Sequence, residues 1–151
     1  MRPGLHVIFL DIDGVLNTRG FLEGREESAW SEQIDPRAVA RLDALARRSG
    51  AKVVISSSWR CYLPVARIEE ILRAHGFTGE ILGATPRRPP SRGTEIQAWI
   101  DAEAEEVVGL VILDDVPEME HLTPHFVQTT FEEGLLDGHV EEALVILARG
   151  R

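Results

Sequence analysis

The sequence predicts a three-layer α/β fold, a mainly parallel five-stranded sheet with helices on both faces, and three observations predict it. Short, almost wholly apolar runs recur along the chain, as strands buried on both sides of a parallel sheet require. Between them lie segments whose apolar residues repeat at helical spacing. Polar clusters stand directly after the apolar runs, where open α/β sheets carry their ligand-binding groups. The length, 151 residues, fits one domain spanning 1–151, with no room for a second core.

Taken in order, Leu5 to Leu10 is the first buried strand, and it runs into Asp11-Ile12-Asp13-Gly14. Residues 17–33 are mixed, with Gly20, Gly24 and several charges, and are expected to form a surface excursion with a short hairpin. Asp35-Pro36 is a helix start, Asp as cap and Pro at the first helical position, and the helix runs to about Ser49-Gly50. Lys52 to Ile55 is the second strand and ends in Ser56-Ser57-Ser58-Trp59-Arg60. A helix from about Pro64 to His75 carries Val65, Ile68, Ile71 and Leu72 on one face and stops at Gly76. Glu80 to Gly83 reads as a short edge strand. Thr85 to Ser91, with Arg87, Arg88 and two adjacent prolines, reads as a stiff basic loop. A helix from Thr94 to about Glu105 turns Ile96, Trp99 and Ile100 inward. Val107 to Leu113 is a strand ending in Asp114-Asp115, His125 to Gln128 is the last strand, and Asp137 caps a final helix through Leu147.

Composition limits the function. The chain has 16 Lys and Arg against 25 Asp and Glu, a net charge of −9, the wrong sign for binding driven by many nucleic-acid phosphates or anionic lipid. A polyanionic substrate must therefore meet a local basic patch, for which Arg60, Arg87, Arg88 and Arg92 are the candidates. The single cysteine, Cys61, excludes an intramolecular disulfide and a multi-cysteine zinc site, and it is expected to be a buried thiol. A cytoplasmic setting fits this cysteine usage, and no run approaches a membrane span or a secretory leader.

Four places carry chemistry. Asp11 and Asp13 are two residues apart at a strand end, with Gly14 letting the chain turn; carboxylates gathered at a dry rim raise one another's pKa unless a hard dication neutralises them. A lone pair of this kind also starts turns or caps helices. The serines after the second strand offer hydroxyl and backbone donors to an anion, although Ser-rich loops do so without a ligand. Asp114-Asp115 stands at a third strand end. Arg92-Gly93 precedes a helix, where a guanidinium would meet a phosphoryl group with two donors at once.

In order and strand placement, these residues resemble the four signature motifs of the haloacid dehalogenase-like phosphohydrolase superfamily. Phe9 to Asn17 resembles its first motif, Val53 to Ser57 its second, Arg92 its third and Ile112 to Asp115 its fourth. Ser57-Ser58-Trp59, Arg92 to Ile96 and Trp99 are similar further to the branch named for Swiss Army Knife RNA-repair proteins. The resemblance implies a Rossmann-like core. The stretches from Gly14 to Lys52 and from Cys61 to Ser91 hold too little for an inserted cap, so no large cap domain is expected.

The resemblance also implies roles. Asp11 would attack phosphorus and become an aspartyl-phosphate; Asp13 would act as general acid and then base. Mg2+ would be held by Asp11, the Asp13 backbone carbonyl and Asp114, with Asp115 supporting it and Glu118 able to substitute further out. Ser57, chosen over its neighbours by its spacing to Trp59, and Arg92 would stabilise the transferring oxygens, with Ser56, Ser58 and Arg60 binding substrate. The third motif is more often Lys; Arg92 instead fixes its donors in a planar fork. The expected activity is a magnesium-dependent phosphatase acting on a phosphorylated substrate, a nucleic-acid end, a phosphoprotein or a small phosphoester, with an open rim suited to the bulky ones. The alternative is a catalytically silent phosphate- or nucleotide-binding module of the same fold. A phospho-acceptor receiver domain fits less well, since its acceptor aspartate would stand where this chain has serines.

Overall fold

The computed structural model describes residues 4–26 and 33–151. Its five strands are β1 (Leu5–Leu10), β2 (Lys52–Ile55), β3 (Ile81–Ala84), β4 (Val107–Asp114) and β5 (Phe126–Gln128). All pair in parallel, in the order β3-β2-β1-β4-β5. The helices are α1 (Arg19–Leu22), α2 (Pro36–Ser49), α3 (Val65–Ala74), α4 (Arg92–Ala102) and α5 (Asp137–Arg149). Short 3-10 segments cover Ser58–Cys61 and Glu120–His125.

The central strands are apolar throughout because both faces are covered: β4 is buried at all eight positions. Side-chain alternation divides the core into two layers. Ile8, Leu10, Val53, Ile55, Val111 and Leu113 face α2, α3 and α5. Val7, Phe9, Val54, Leu110 and Ile112 face α4 and the 119–122 segment, and Trp99 packs edge-on against Phe9 with ring centroids 5.6 Å apart. Right-handed crossovers explain the division. The chain moves outward from β1 to β3 with its helices on one face, then returns past β1 to β4, which puts α4 on the other. The direction of winding reverses between β1 and β4, where such folds open a crevice beyond the strand ends.

Element ends follow local chemistry. Asp35 Oδ1 accepts from the Arg37 amide at 2.9 Å, Pro36 opens α2, and Gly50 closes it in the left-handed region. Several expectations shift. At 19–22 the chain forms a helical turn capped by Thr18 rather than a hairpin strand; residues 27–32 of that stretch lie outside the described residues. Helix α4 begins at Arg92, two residues early, because Ser91 Oγ caps it by accepting from the Thr94 amide. Asp137 is the first residue of α5, not its cap: His139 Nδ1 accepts from the Leu136 amide, and Asp137 pairs with Arg41. Among the described residues no large cap interrupts the core, and no helix is long and apolar enough to cross a membrane.

Candidate active site

The end of β1 delivers Asp11 to the crevice, and β4 delivers Asp114 beside it, since Leu10 and Leu113 are register partners. Both side chains belong to the α4 face by alternation from Phe9 and Ile112. Helix α4 meets them with its first residue: Arg92 Nη1 lies 3.2 Å from Asp11 Oδ1 and 2.8 Å from Asp114 Oδ2. Gly93 makes that approach possible. A Cβ there would stand 2.4 Å from the Met119 carbonyl oxygen, so only glycine lets the helix start dock against the segment leaving β4.

Carboxylate oxygens of Asp11, Asp114 and Asp115 lie within 4.8 Å of one another. Burial pushes the Asp11 carboxyl up to about 8, and the Asp114 charge adds to this against the opposing pull of Arg92 and the Ile12 amide. Asp114 is also raised, chiefly by burial, even though Arg92 and the Val116 amide favour its charged form. One guanidinium therefore does not neutralise the cluster. Hard oxygen donors short of positive charge at a strand-end crevice are a donor set that fits Mg2+. Gly14 adds to the crowding: its φ is +81°, and a Cβ would fall 2.4 Å from Asp115 Oδ2.

Asp13 occupies a different environment. It is exposed, and both its oxygens accept from the Trp59 indole N–H at 3.2 Å. Asn17 Nδ2 donates to Asp13 Oδ1 at 2.9 Å, while Asn17 Oδ1 accepts from the Gly14 amide at 3.1 Å. Thr129 Oγ1 donates to the Gly14 carbonyl at 2.6 Å, tying the same turn to the end of β5. Asn17 and Thr129 went unrecognised in the sequence. Asn17 was legible only as the last residue of the first motif, and Thr129 carries no local signal.

The serines separate. The β1–β2 ladder continues to the Ser56 amide, which donates to the Leu10 carbonyl at 2.8 Å. Alternation then puts Ser56 on Asp11's face and turns Ser57 away. Ser57 Oγ instead caps the 3-10 turn, accepting from the Trp59 amide at 3.2 Å. Ser56 Oγ is buried with no partner in the protein, as is Thr85 Oγ1 on the neighbouring strand end. Ser58 is exposed.

Two expectations fail on geometry. Arg60 is not available to substrate: its Nη2 pairs with Glu95 at 2.7 Å, Nη1 donates to the Ser57 carbonyl at 2.7 Å, and Nε donates to the Thr85 carbonyl at 2.9 Å. It ties the exits of β2 and β3 to α4. Cys61 is exposed, not buried, because the 3-10 turn gives its inward position to Trp59. Glu118 is exposed beside the crevice and is outside the carboxylate cluster.

A parallel α/β sheet with acidic strand ends at its switch point, a guanidinium among them and a carboxylate cluster that could hold a hard cation defines a class: phosphohydrolase-like proteins of the haloacid dehalogenase type. The chain belongs to the family described as the HAD domain in Swiss Army Knife RNA repair proteins, whose sequence pattern matches residues 7–140. The superfamily consists in general of hydrolases. None of the curated proteins compared matches the chain. A solved crystal structure with 16% identity aligns over 96% of this chain and 81% of its own length, with a TM-score of 0.47.

Proposed function

We propose that the protein is a magnesium-dependent phosphatase that hydrolyses phosphoesters through an aspartyl-phosphate on Asp11. The observation that carries this reading is the contrast between its two strand-end aspartates, Asp11 buried against Arg92 and Asp114, Asp13 exposed and held by Trp59 and Asn17. Two carboxyl groups in unlike environments suit unlike tasks, nucleophile and proton carrier.

Bound Mg2+ would supply neutralisation of the Asp11 and Asp114 charges and of the transferring phosphoryl oxygens. Asp11 and Asp114 would hold it with the Asp13 carbonyl, and Asp115 would support them. Asp11 Oδ attacks phosphorus in line, the ester bond breaks, and the leaving oxygen takes its proton from Asp13. Asp13 then removes a proton from the water that cleaves the aspartyl-phosphate. Arg92 donates to the equatorial oxygens, as does Ser56, which takes over the role expected of Ser57. Trp59 and Asn17 keep Asp13 aimed. With no large cap over the rim among the described residues, the site suits an exposed phosphate such as a nucleic-acid end or a phosphoprotein. A reducing, cytoplasmic setting accords with the exposed Cys61 thiol.

One observation favours the second reading, a silent phosphate- or nucleotide-binding module: Arg92 Nη1 already bridges Asp11 and Asp114. Hydrolysis of p-nitrophenyl phosphate with and without Mg2+ separates the two. Phosphatase action predicts Mg2+-dependent turnover that is lost in Asp11→Asn and Asp13→Asn. Turnover unchanged in Asp11→Asn contradicts it, and phosphate binding without turnover in any form supports the module.

A further inference from the structure

A groove of about 450 Å3 opens beside the crevice, with Arg92 as the wall shared between them. Its far side is formed by Arg87 and Arg88 on the loop before α4. Both are exposed, and neither makes an ion pair among the described residues. Arg88 Nη1 donates only to the Arg87 carbonyl, and its amide donates to Glu95 Oε2 at 3.2 Å. Two acidic side chains also line the groove. Glu95 is neutralised by Arg60 at 2.7 Å, which among the described residues leaves Glu118 as the one lining carboxylate to set against the two guanidinium groups of Arg87 and Arg88. The local balance is positive on a chain of net charge −9. The backbone beneath is held: Ser91 caps α4, and the Gly93 amide donates to the Glu118 carbonyl at 2.9 Å.

We infer that this groove is a subsite for a second phosphate group of the substrate, adjoining the one that Asp11 attacks. The inference rests on the phosphatase reading for the position of the first phosphate. Arg92 is committed to the reacting centre by its contacts with Asp11 and Asp114, so the second group is met by Arg87 and Arg88. Their planar forks match a phosphate's oxygens. The ligand class is a phosphomonoester whose leaving group carries a further phosphate. That further phosphate is either the adjacent phosphodiester of a polynucleotide or the second ester of a small bisphosphate.

The test compares thymidine 3′-monophosphate, thymidine 3′,5′-bisphosphate and a 3′-phosphorylated pentathymidylate as substrates for the wild type, Arg87→Ala/Arg88→Ala and Arg87→Lys/Arg88→Lys. The wild type should prefer at least one of the multiply charged substrates over the monophosphate in kcat/KM by about tenfold or more, as charge-assisted hydrogen bonds allow. The double alanine variant should lose that preference and hydrolyse p-nitrophenyl phosphate at the wild-type rate; the double lysine variant should keep part of it. Preference for the pentamer alone assigns the groove to polynucleotide backbone, and preference for the bisphosphate alone assigns it to small bisphosphates. A preference that survives the alanine variant, no preference in the wild type, or an equal loss on every substrate including p-nitrophenyl phosphate overturns the inference. If no form turns over, calorimetric binding of the same three nucleotides takes the place of kcat/KM. A difference abolished by the alanine variant then upholds the subsite while the phosphatase reading fails, and no difference removes both.

Discussion

Asp43, on the inner side of α2, and Asp11, at the end of β1, are buried to nearly the same degree, 7% and 5% exposed, yet they are treated in opposite ways. Burial pushes the Asp43 carboxyl up, but the Thr78 amide at 2.7 Å, the Thr78 hydroxyl at 2.8 Å and Arg47 at 2.9 Å outweigh it and hold it below the ordinary carboxylate range. Asp35 is similar, held down by Arg37 against the effect of its burial. Asp11 has one shared guanidinium and two acidic neighbours, and is pushed up to about 8. Where an aspartate serves the fold, its charge is satisfied from within the chain. At the strand ends the carboxylates are left short of positive charge, and that deficit is what a cation would meet.

The sharpest way to break this contrast is to neutralise Asp11. Asp11→Asn should lower kcat by about 10⁴-fold or more in a p-nitrophenyl phosphate assay, the scale of nucleophile loss. The same variant should melt higher than the wild type when both are metal-free, because a raised carboxyl in the folded state costs stability progressively as pH rises from about 4 through 8. Calorimetric melting at pH 5 and pH 8 checks this: the gain from Asn should be larger at pH 8, at about 2–4 °C for each kcal/mol. Added Mg2+ should stabilise the wild type more than the variant.

Arg92→Ala should reduce kcat by about 10²–10³-fold, as loss of an oxyanion donor does, with Arg92→Lys recovering part of it. Trp59→Phe keeps the buried ring and removes the N–H that holds Asp13. It should lower kcat by about tenfold with little change in KM and should move the limb of the pH–rate profile that reports the general acid. Asp43→Asn sharpens the comparison from the other side. It should leave kcat/KM unchanged and cost about 1–3 kcal/mol in urea unfolding at pH 7. Because the folded Asp43 value is depressed, that contribution is complete above the unfolded carboxylate pKa and disappears as pH falls through the folded one, so wild type and variant should converge in acid.

Much of this was legible in the sequence for identifiable reasons. The strands β1, β2 and β4 are buried on both faces, so their residues carry the signal by themselves, and the carboxylates after them were found because strand ends in such sheets share one rim. The helix α2 announced itself through Asp35 and Pro36. What was not legible depends on partners far along the chain. Arg60 reads as a surface cation until Glu95, 35 positions on, comes to lie 2.7 Å away. Thr129 gains its role only because β5 returns its end to Gly14. Spacing to Trp59 selected Ser57, whereas strand register puts Ser56 on the face of Asp11, a one-residue difference that reverses the face of the sheet.

Crystals grown with Mg2+ and beryllium fluoride test most directly whether the carboxylates at the ends of β1 and β4 bind a cation and accept a phosphoryl group. The expected result is an ion bound by Asp11 and Asp114, a fluoroberyllate on Asp11 Oδ, and Arg92 released from Asp114 to donate to the fluorines. An ion-free crevice in which Arg92 still bridges Asp11 and Asp114, with no adduct on Asp11, would contradict it.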